Sequence, residues 1–403
     1  MRKRKKSTLL EDKLLYTYVI VLAYMIGRSI PLYGVDVSNL VVREMDAQTI
    51  LTQTVSGDLN QCSILALGIV PYMTASILVS MIAACRSSES KTRTSSITMN
   101  RITVLLMFVF ASLLAASRLN ALPFTATGYD LIMQKVISSV QMVTGAFVIM
   151  WMARRNKKYG IGGQTILIYV NVLDSIRMNL SKQTFDEAWP VMAVALLGVL
   201  IITFMDNTEK RIPVQRISIH NIYSDKNYYA IKLLPVGIMP IMFATSFYTL
   251  VSLIVSLLLK VFPQNTNLLW FQSNNELSKP LGIIVYLFVL VFLTVVFALL
   301  FINPSDAAEQ FMKNGDSIVN LHSGTETKWY LIRSLIGISL ISAAVMCVCV
   351  GTPMMLQLLG KYDNSLVMLP TSVMMLTGIW TNIQQEIDSV KNLDSYEKFI
   401  KVI

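Results

Sequence analysis

Few residues of this 403-residue chain are placed to do covalent chemistry. The only two histidines, His220 and His322, fall in polar connecting stretches. No nucleophile and base pair, metal cluster or phosphate-binding glycine loop is visible, so no metal or cofactor is expected. Four cysteines, Cys62, Cys85, Cys347 and Cys349, lack metal-ligand spacing, and the last two point different ways on a helix. They read as small apolar fillers. Asp206, Asp306 and Asp363 lie at or beyond the ends of apolar stretches, so no carboxylate stands mid-span to bind a proton or coupling ion. One polar series remains. Thr245, Thr249, Ser252 and Ser256 recur at i, i+4, i+7 and i+11 in a stretch otherwise made of Phe, Leu, Ile and Val. Such a stripe either joins helices in lipid or faces a wet cavity, and periodicity alone leaves both readings open. The chain reads as a conduit without chemistry of its own.

The elements that would position this stripe are membrane spans. With 54% hydrophobic and 14% charged residues, the chain falls well below the roughly 25% charged share of soluble domains. Spans of roughly 20 apolar residues begin near residues 14, 61, 101, 136, 164, 188, 236, 281, 331 and 366. Ten helices are expected, and no soluble domain can be cut out. Asn171, Asp174 and Arg177 shorten the apolar part of the fifth. The eighth, Leu281 to Ile302, is apolar all round apart from Thr294 and is expected at the periphery, with position 290 toward lipid. The basic run Arg2 to Lys6 precedes an apolar stretch of full span length with no small-residue cleavage site, so a retained first helix is expected. Most of the 34 Lys and Arg residues fall in the segments that are inside if the amino terminus is inside, which predicts both termini cytoplasmic. The net charge of +10 is thus mainly a topology signal, with anionic lipid as a weaker partner. No basic, aromatic-interleaved patch suggests nucleic acid.

One stretch, Gly57 to Met81, breaks the pattern. From Ile64 it is apolar enough to enter a bilayer, yet Gly68 and Pro71 fall in its first turns and Gly57, Asp58 and Asn60 precede it. A broken helix is expected. Non-helical backbone at membrane depth survives only where it is buried in protein or lines a wet cavity, whereas a merely kinked helix could still face lipid.

Several strings in the chain point the same way. Leu67 to Ile77, Leu-Gly-Ile-Val-Pro-Tyr-Met-Thr-Ala-Ser-Ile, closely resembles the second transmembrane segment of the SecY family of protein-translocation channels. Arg28-Ser29-Ile30-Pro31, Tyr159 to Gly163, Arg211-Ile212-Pro213-Val214-Gln215, Leu234 to Ala244 and Asn303-Pro304 are similar to further family strings, in the family's order. The resemblance implies an all-α polytopic membrane protein whose ten helices form two pseudo-symmetric five-helix halves, residues 1–182 and 183–403, around a central hourglass pore. It implies a plug near 54–63, with Gly57, Asp58, Asn60 and Cys62. A pore ring at Ile69, Met73, Met242 and Met375 follows, with Thr165 or Tyr169 as the fifth helix's contribution. It makes the hydroxyl stripe a lateral gate, and makes the loops 206–235 and 303–330 a docking platform in which Lys210, Arg211, Arg216 and His322 meet a SecA-type motor ATPase. A SecE-like small membrane subunit and a secreted polypeptide substrate are the other implied partners, in a bacterial plasma membrane.

Departures narrow the resemblance. The family's Ile-Pro-Gly-Ile-Arg-Pro-Gly stands here as Ile318 to Gly324, with His322 in place of the arginine, and Leu369-Pro370 replaces the Gly-Gly that opens the tenth helix. The chain is therefore more similar to the accessory SecY of Gram-positive bacteria, which serves an accessory motor and exports serine-rich glycoprotein adhesins. An inverted-repeat secondary transporter is the alternative with the same two-half architecture. Between Asp206 and Lys232, two β-prone runs flank the turn formers Ser224 to Asn227, which predicts a β-hairpin.

Overall fold

The computed structural model describes residues 9–35, 62–84, 95–119, 122–124, 129–181, 185–216, 227–275, 277, 279–319, 321–322, 324–358, 366 and 368–400. Helices occupy each of the ten expected positions: α1 (Leu9–Arg28), α2 (Val70–Ala84), α3 (Ser96–Leu119), α4 (Tyr129–Tyr159), α5 (Thr165–Leu180), α6 (Phe185–Asn207), α7 (Met239–Val261), α9 (Pro280–Ile302), α11 (Thr325–Leu358) and α12 (Leu369–Ile400). Two short helices, α8 (Thr266–Asn274) and α10 (Pro304–Asn314), lie in connections. Among the described residues α3, α4, α6, α7, α9 and α11 are long and apolar enough to cross a membrane. The other four fall short for visible reasons. Charges stand at both ends of α1, α2 and α5 have 15 and 16 residues, and α12 turns polar beyond Ile383.

The expected break precedes α2. Residues 64–69 form turns, Gly68 takes a left-handed φ of 57°, and Pro71 stands in the first turn of the helix, where its missing N–H costs nothing. This segment is held inside the protein. Leu32 N–H donates to Cys62 O at 2.7 Å and Ile64 N–H to Ile30 O at 3.0 Å, so the chain leaving α1 pairs with the chain approaching α2. A Cβ on Gly145 of α4 would stand 2.1 Å from Ile64 O, which makes glycine a requirement of that close approach.

The main core joins α1, α2, α4, α5, α6, α7, α9, α11 and α12 in one apolar cluster, and a smaller one lies among α2, α3 and α4. α12 packs on α6, α5 and α1, and thereby ties the end of the chain to its beginning. The α9 expectation needs correcting. Leu290 is buried with Tyr286, Leu293 and Phe297 against α11 and α7, while Ile284, Phe288 and Phe292 are exposed. A helix apolar on every side has no polar face to set its rotation, so its sequence cannot say which side packs.

The fold also exceeds the all-α expectation. β1 (Glu209–Arg216) and β2 (Tyr228–Lys232) pair antiparallel from Glu209 opposite Lys232 to Pro213 opposite Tyr228, as the predicted hairpin requires. Residues 217–226, which hold its turn, lie outside the described residues. A third strand, β3 (Asp316–Ile318), comes from the other large loop and pairs with β1 from Val214 to Arg216. Ile212, Val214, Ile231 and Ile318 are buried, and this face of the sheet packs on Ala298, Leu331, Leu335 and Ile338 of α9 and α11.

Candidate functional site

A cavity of about 630 Å³ opens among six helices and the turn before α5. Tyr72, Ser76, Ile77 and Ser80 of α2 line it, opposed by Phe243 of α7 and by Phe297 and Phe301 of α9. Lys157, Gly162, Thr165, Asn382 and Glu386 supply its polar side. Local geometry explains the mixture. Ser76 and Ser80 are four apart, as are Phe297 and Phe301 and also Asn382 and Glu386, so each pair presents one helix face. Ser76 and Ser80 hydroxyls donate to carbonyls of their own helix, at 2.9 Å to Met73 O and 2.8 Å to Ser76 O. The Arg154 guanidinium lies 5.5 Å above the Tyr72 ring, and Phe243 meets Phe297 edge to face at 5.3 Å.

The turn between α4 and α5 is fastened from three sides. Asn156, wholly buried, accepts from the Thr17 hydroxyl at 3.1 Å and donates to Ile161 O and Gly163 O at 2.8 and 2.9 Å. Ile161 N–H donates to Thr17 Oγ1 at 2.8 Å, and Gly162 N–H donates to Glu386 Oε2 at 2.9 Å. Gly162 and Gly163 both take positive φ, 76° and 46°, which lets this backbone turn its amides and carbonyls toward α1, α4 and α12.

Ile69, Met73, Met242 and Met375 all belong to the central buried cluster, each at most 2% exposed. From α5 that cluster takes Leu167, Ile168 and Val172. Thr165 instead donates to Gly162 O at 2.5 Å, and Tyr169 lies half-buried with its ring 6.4 Å from that of Trp380. Of the residues expected in the plug, Cys62 is buried, and Gly57, Asp58 and Asn60 lie outside the described residues. In the α7 stripe Thr245 and Thr249 donate to Met242 O and Ser246 O, both at 2.8 Å, while Ser252 accepts from Asn275 Nδ2 at 3.5 Å and Ser256 is half-buried.

The expected docking residues separate by strand alternation. Ile212 and Val214 face inward, and Lys210 shares their side, where its Nζ donates to Ser334 Oγ of α11 at 2.9 Å. Arg211 faces out, paired with Glu209 at 2.9 Å and 4.6 Å from the Tyr228 ring, and the Glu209 carboxylate raises the Arg211 pKa. His322 sits exposed beyond β3 and braces the start of α11, its N–H donating to Glu326 at 3.2 Å and its carbonyl accepting from Thr327 at 2.8 Å. Arg216 ends β1 opposite Asp316. Sequence reasoning missed Ser76, Ser80, Asn382 and Glu386, whose four-residue spacings were the available signal.

Membrane-length apolar helices packed around a buried cluster, with a polar-sided cavity among them, define a mostly helical multi-span membrane protein. The chain belongs to the SecY family, whose family model matches residues 63–384. It is a protein-translocation channel subunit and a non-enzymatic transporter, and proteins of this family sit in the plasma membrane in bacteria. It is 28% identical over 393 residues to the accessory Sec system protein translocase subunit SecY2 of Streptococcus agalactiae serotype III (strain NEM316), covering 95% of this chain and 94% of that one. To the protein of the same name from Leuconostoc gelidum subsp. gasicomitatum it is 26% identical over 405 residues, covering 95% of both chains. The solved structure of a protein conducting channel shares the fold, with a TM-score of 0.65 at 16% identity over 98% of this chain and 95% of that one. Sec61 in the canine ribosome-channel complex does so with a TM-score of 0.58 at 15% identity, over the same shares.

Proposed function

We propose that this chain is the pore subunit of an accessory-type translocase, passing unfolded or modified polypeptide driven by an accessory SecA-type motor. Serine-rich glycoprotein adhesins are the proposed cargo, a SecE-like small subunit the proposed membrane partner, and both termini the proposed cytoplasmic ends. In this reading ten helices span the membrane in two halves, 1–182 and 183–403, about an hourglass pore. Ile69, Met73, Met242 and Met375 form its narrowest ring, joined from α5 by Ile168 or Val172. Residues 54–63 are the plug. The lateral gate lies between α2 and α7, with Thr245, Thr249, Ser252 and Ser256 on the α7 side. The sheet docks the motor through Arg211 on its outward face, with Arg216 at the end of β1 and His322 beyond β3 as further contacts and Lys210 turned toward α11.

The observation that supports the reading is that four residues from α2, its approach, α7 and α12 all belong to the one buried cluster that joins these helices, and that α2, α7 and α12 also line the cavity. Three are methionines, whose unbranched and polarizable side chains yield to bulky cargo more readily than β-branched ones. Single cysteines at 73, 242 and 375 test it in the channel holding a stalled secretory polypeptide. Crosslinks to cargo at these positions and none at the exposed position 288 are expected. Equal reaction at 288 would make the methionines packing only. The accessory assignment rests on the similarity to the two SecY2 proteins and on His322, which offers at most two directed bonds where the family's arginine offers a permanently charged fork. Replacing residues 318–324 by the family string should weaken work with an accessory motor. Unchanged activity would remove the loop from motor choice.

A further inference from the structure

A second cavity lies away from the pore, where the sheet meets α11, as a groove of about 510 Å³. Tyr330, Ser334, Gly337 and Ile341 line it at steps of four, three and four residues, down a single face of α11, with Arg333 beside Ser334 and four before Gly337. Arg333 and Lys210 stand at its sheet end, with Lys210 held over it by the bond to Ser334. Ile341, about 12 Å further along the helix, is 55% exposed at its other end. Between them Gly337 leaves a notch, since a Cβ there would meet no atom within 4 Å, and Ile338 forms the floor. Glu209 also lines the groove, but its carboxylate is engaged by Arg211, which leaves the local charge positive.

The groove also runs from the sheet onto a helix long and apolar enough to cross a membrane. α11 enters its membrane-length apolar stretch here, and Trp329 and Tyr330, 68% and 40% exposed, stand at the sheet end where interfacial aromatics collect. Positive charge above, a notch at the boundary and exposed aliphatic surface below match one class of molecule. We infer that this groove binds an anionic phospholipid of the leaflet on the sheet side, its phosphate on Lys210 and Arg333 and an acyl chain along Gly337 and Ile341. A free phosphate would satisfy the basic pair but would leave the apolar length of the groove unused. The bound lipid would brace the docking platform against the span that carries it.

The full chain in phosphatidylcholine nanodiscs, doped with phosphatidylglycerol bearing a photoactivatable acyl chain, tests the inference. Adducts mapped by mass spectrometry should concentrate on residues 330–341, exceed those from the matching phosphatidylcholine probe, and fall about fivefold for each of Lys210→Gln and Arg333→Gln. Adducts around exposed Phe288 serve as the internal standard for folding and should not change. Gly337→Leu places a side chain in the notch, its Cβ clear of any atom within 4 Å and the charge unchanged, and should also lower labelling at 330–341. Equal labelling by the two probes, insensitivity to the charge variants, or insensitivity to Gly337→Leu would each overturn the lipid site. So would loss of the preference on adding inorganic phosphate but not chloride of equal ionic strength, which would mark a bare anion site. Charge variants that abolished motor binding in pure phosphatidylcholine while leaving labelling intact would assign the surface to the motor and also overturn it.

Discussion

Asp174 holds two arginines of very different exposure, Arg28 at 2.8 Å and Arg177 at 3.1 Å, with side chains 11% and 78% exposed. Removing one partner of a largely buried pair strands the other charge, whereas an exposed i, i+3 pair contributes little. Arg28→Ala still leaves Asp174 paired with the exposed Arg177, so it is expected to destabilise the protein by about 2 kcal/mol, and Arg177→Ala by less than about 1 kcal/mol, in thermal unfolding in detergent. Asn156 offers a second contrast. Asn156→Ala leaves the Ile161 and Gly163 carbonyls without their donor in a buried place, while the Thr17 hydroxyl keeps Lys13 O and the Ile161 amide, for a loss of about 2–3 kcal/mol. Thr17→Ser keeps the hydroxyl and should stay close to the parent. Sequence alone did not reach this hub. Thr17, Asn156 and Ile161 are brought together by tertiary contact, and only the Gly160 to Gly163 turn was conspicuous. The methionines were legible only through the family strings, because with 23 in the chain a methionine carries no positional signal.

Elements were read best where polar residues set a phase or glycine and proline set a boundary. The break before α2 was visible in Gly68 and Pro71, and the hairpin in its two β-prone runs. The rotation of α9 was not, for want of a polar side, and neither was β3, whose three residues make sense only beside Val214 to Arg216. Two glycines turn this into an experiment. Gly145→Ala would press a Cβ onto the Ile64 carbonyl and should displace the non-helical approach to α2, read as a lower unfolding temperature. Gly337→Ala meets open space and should raise stability by about 0.5–1 kcal/mol through helix propensity. Ile212 joins the sheet to the membrane helices. Ile212→Ala is expected to cost about 3 kcal/mol and to expose Glu209–Arg216 and Tyr228–Lys232 to protease, while Arg211→Ala on the outward face leaves their protection unchanged.

At the scale of the whole molecule the contact between Glu386 and the Gly162 amide joins the last helix to the turn before α5, beside the cavity. Widening a pore between two halves would have to stretch or break it. Glu386→Ala should raise the leak of reconstituted channels to small ions without altering the fold, and unchanged leak with an unchanged melting curve would remove the contact from gating. The three-stranded sheet spans a different interval, one of time. β1 pairs with β2 almost at once, but Val214 finds Ile318 only after about a hundred further residues, including α7 and α9, have been made. At about 5–20 residues per second that is a wait of roughly 5–20 s, during which one edge of β1 is uncovered and a two-stranded ribbon has little stability of its own. Closure of the sheet thus records that the intervening helices have been delivered with both connections on the same side of the membrane. A nascent chain ending before Asp316 should be cut within Glu209–Arg216 or Tyr228–Lys232, and in one released after Leu358 these strands should resist, so that the sheet matures only once most of the chain has been synthesised.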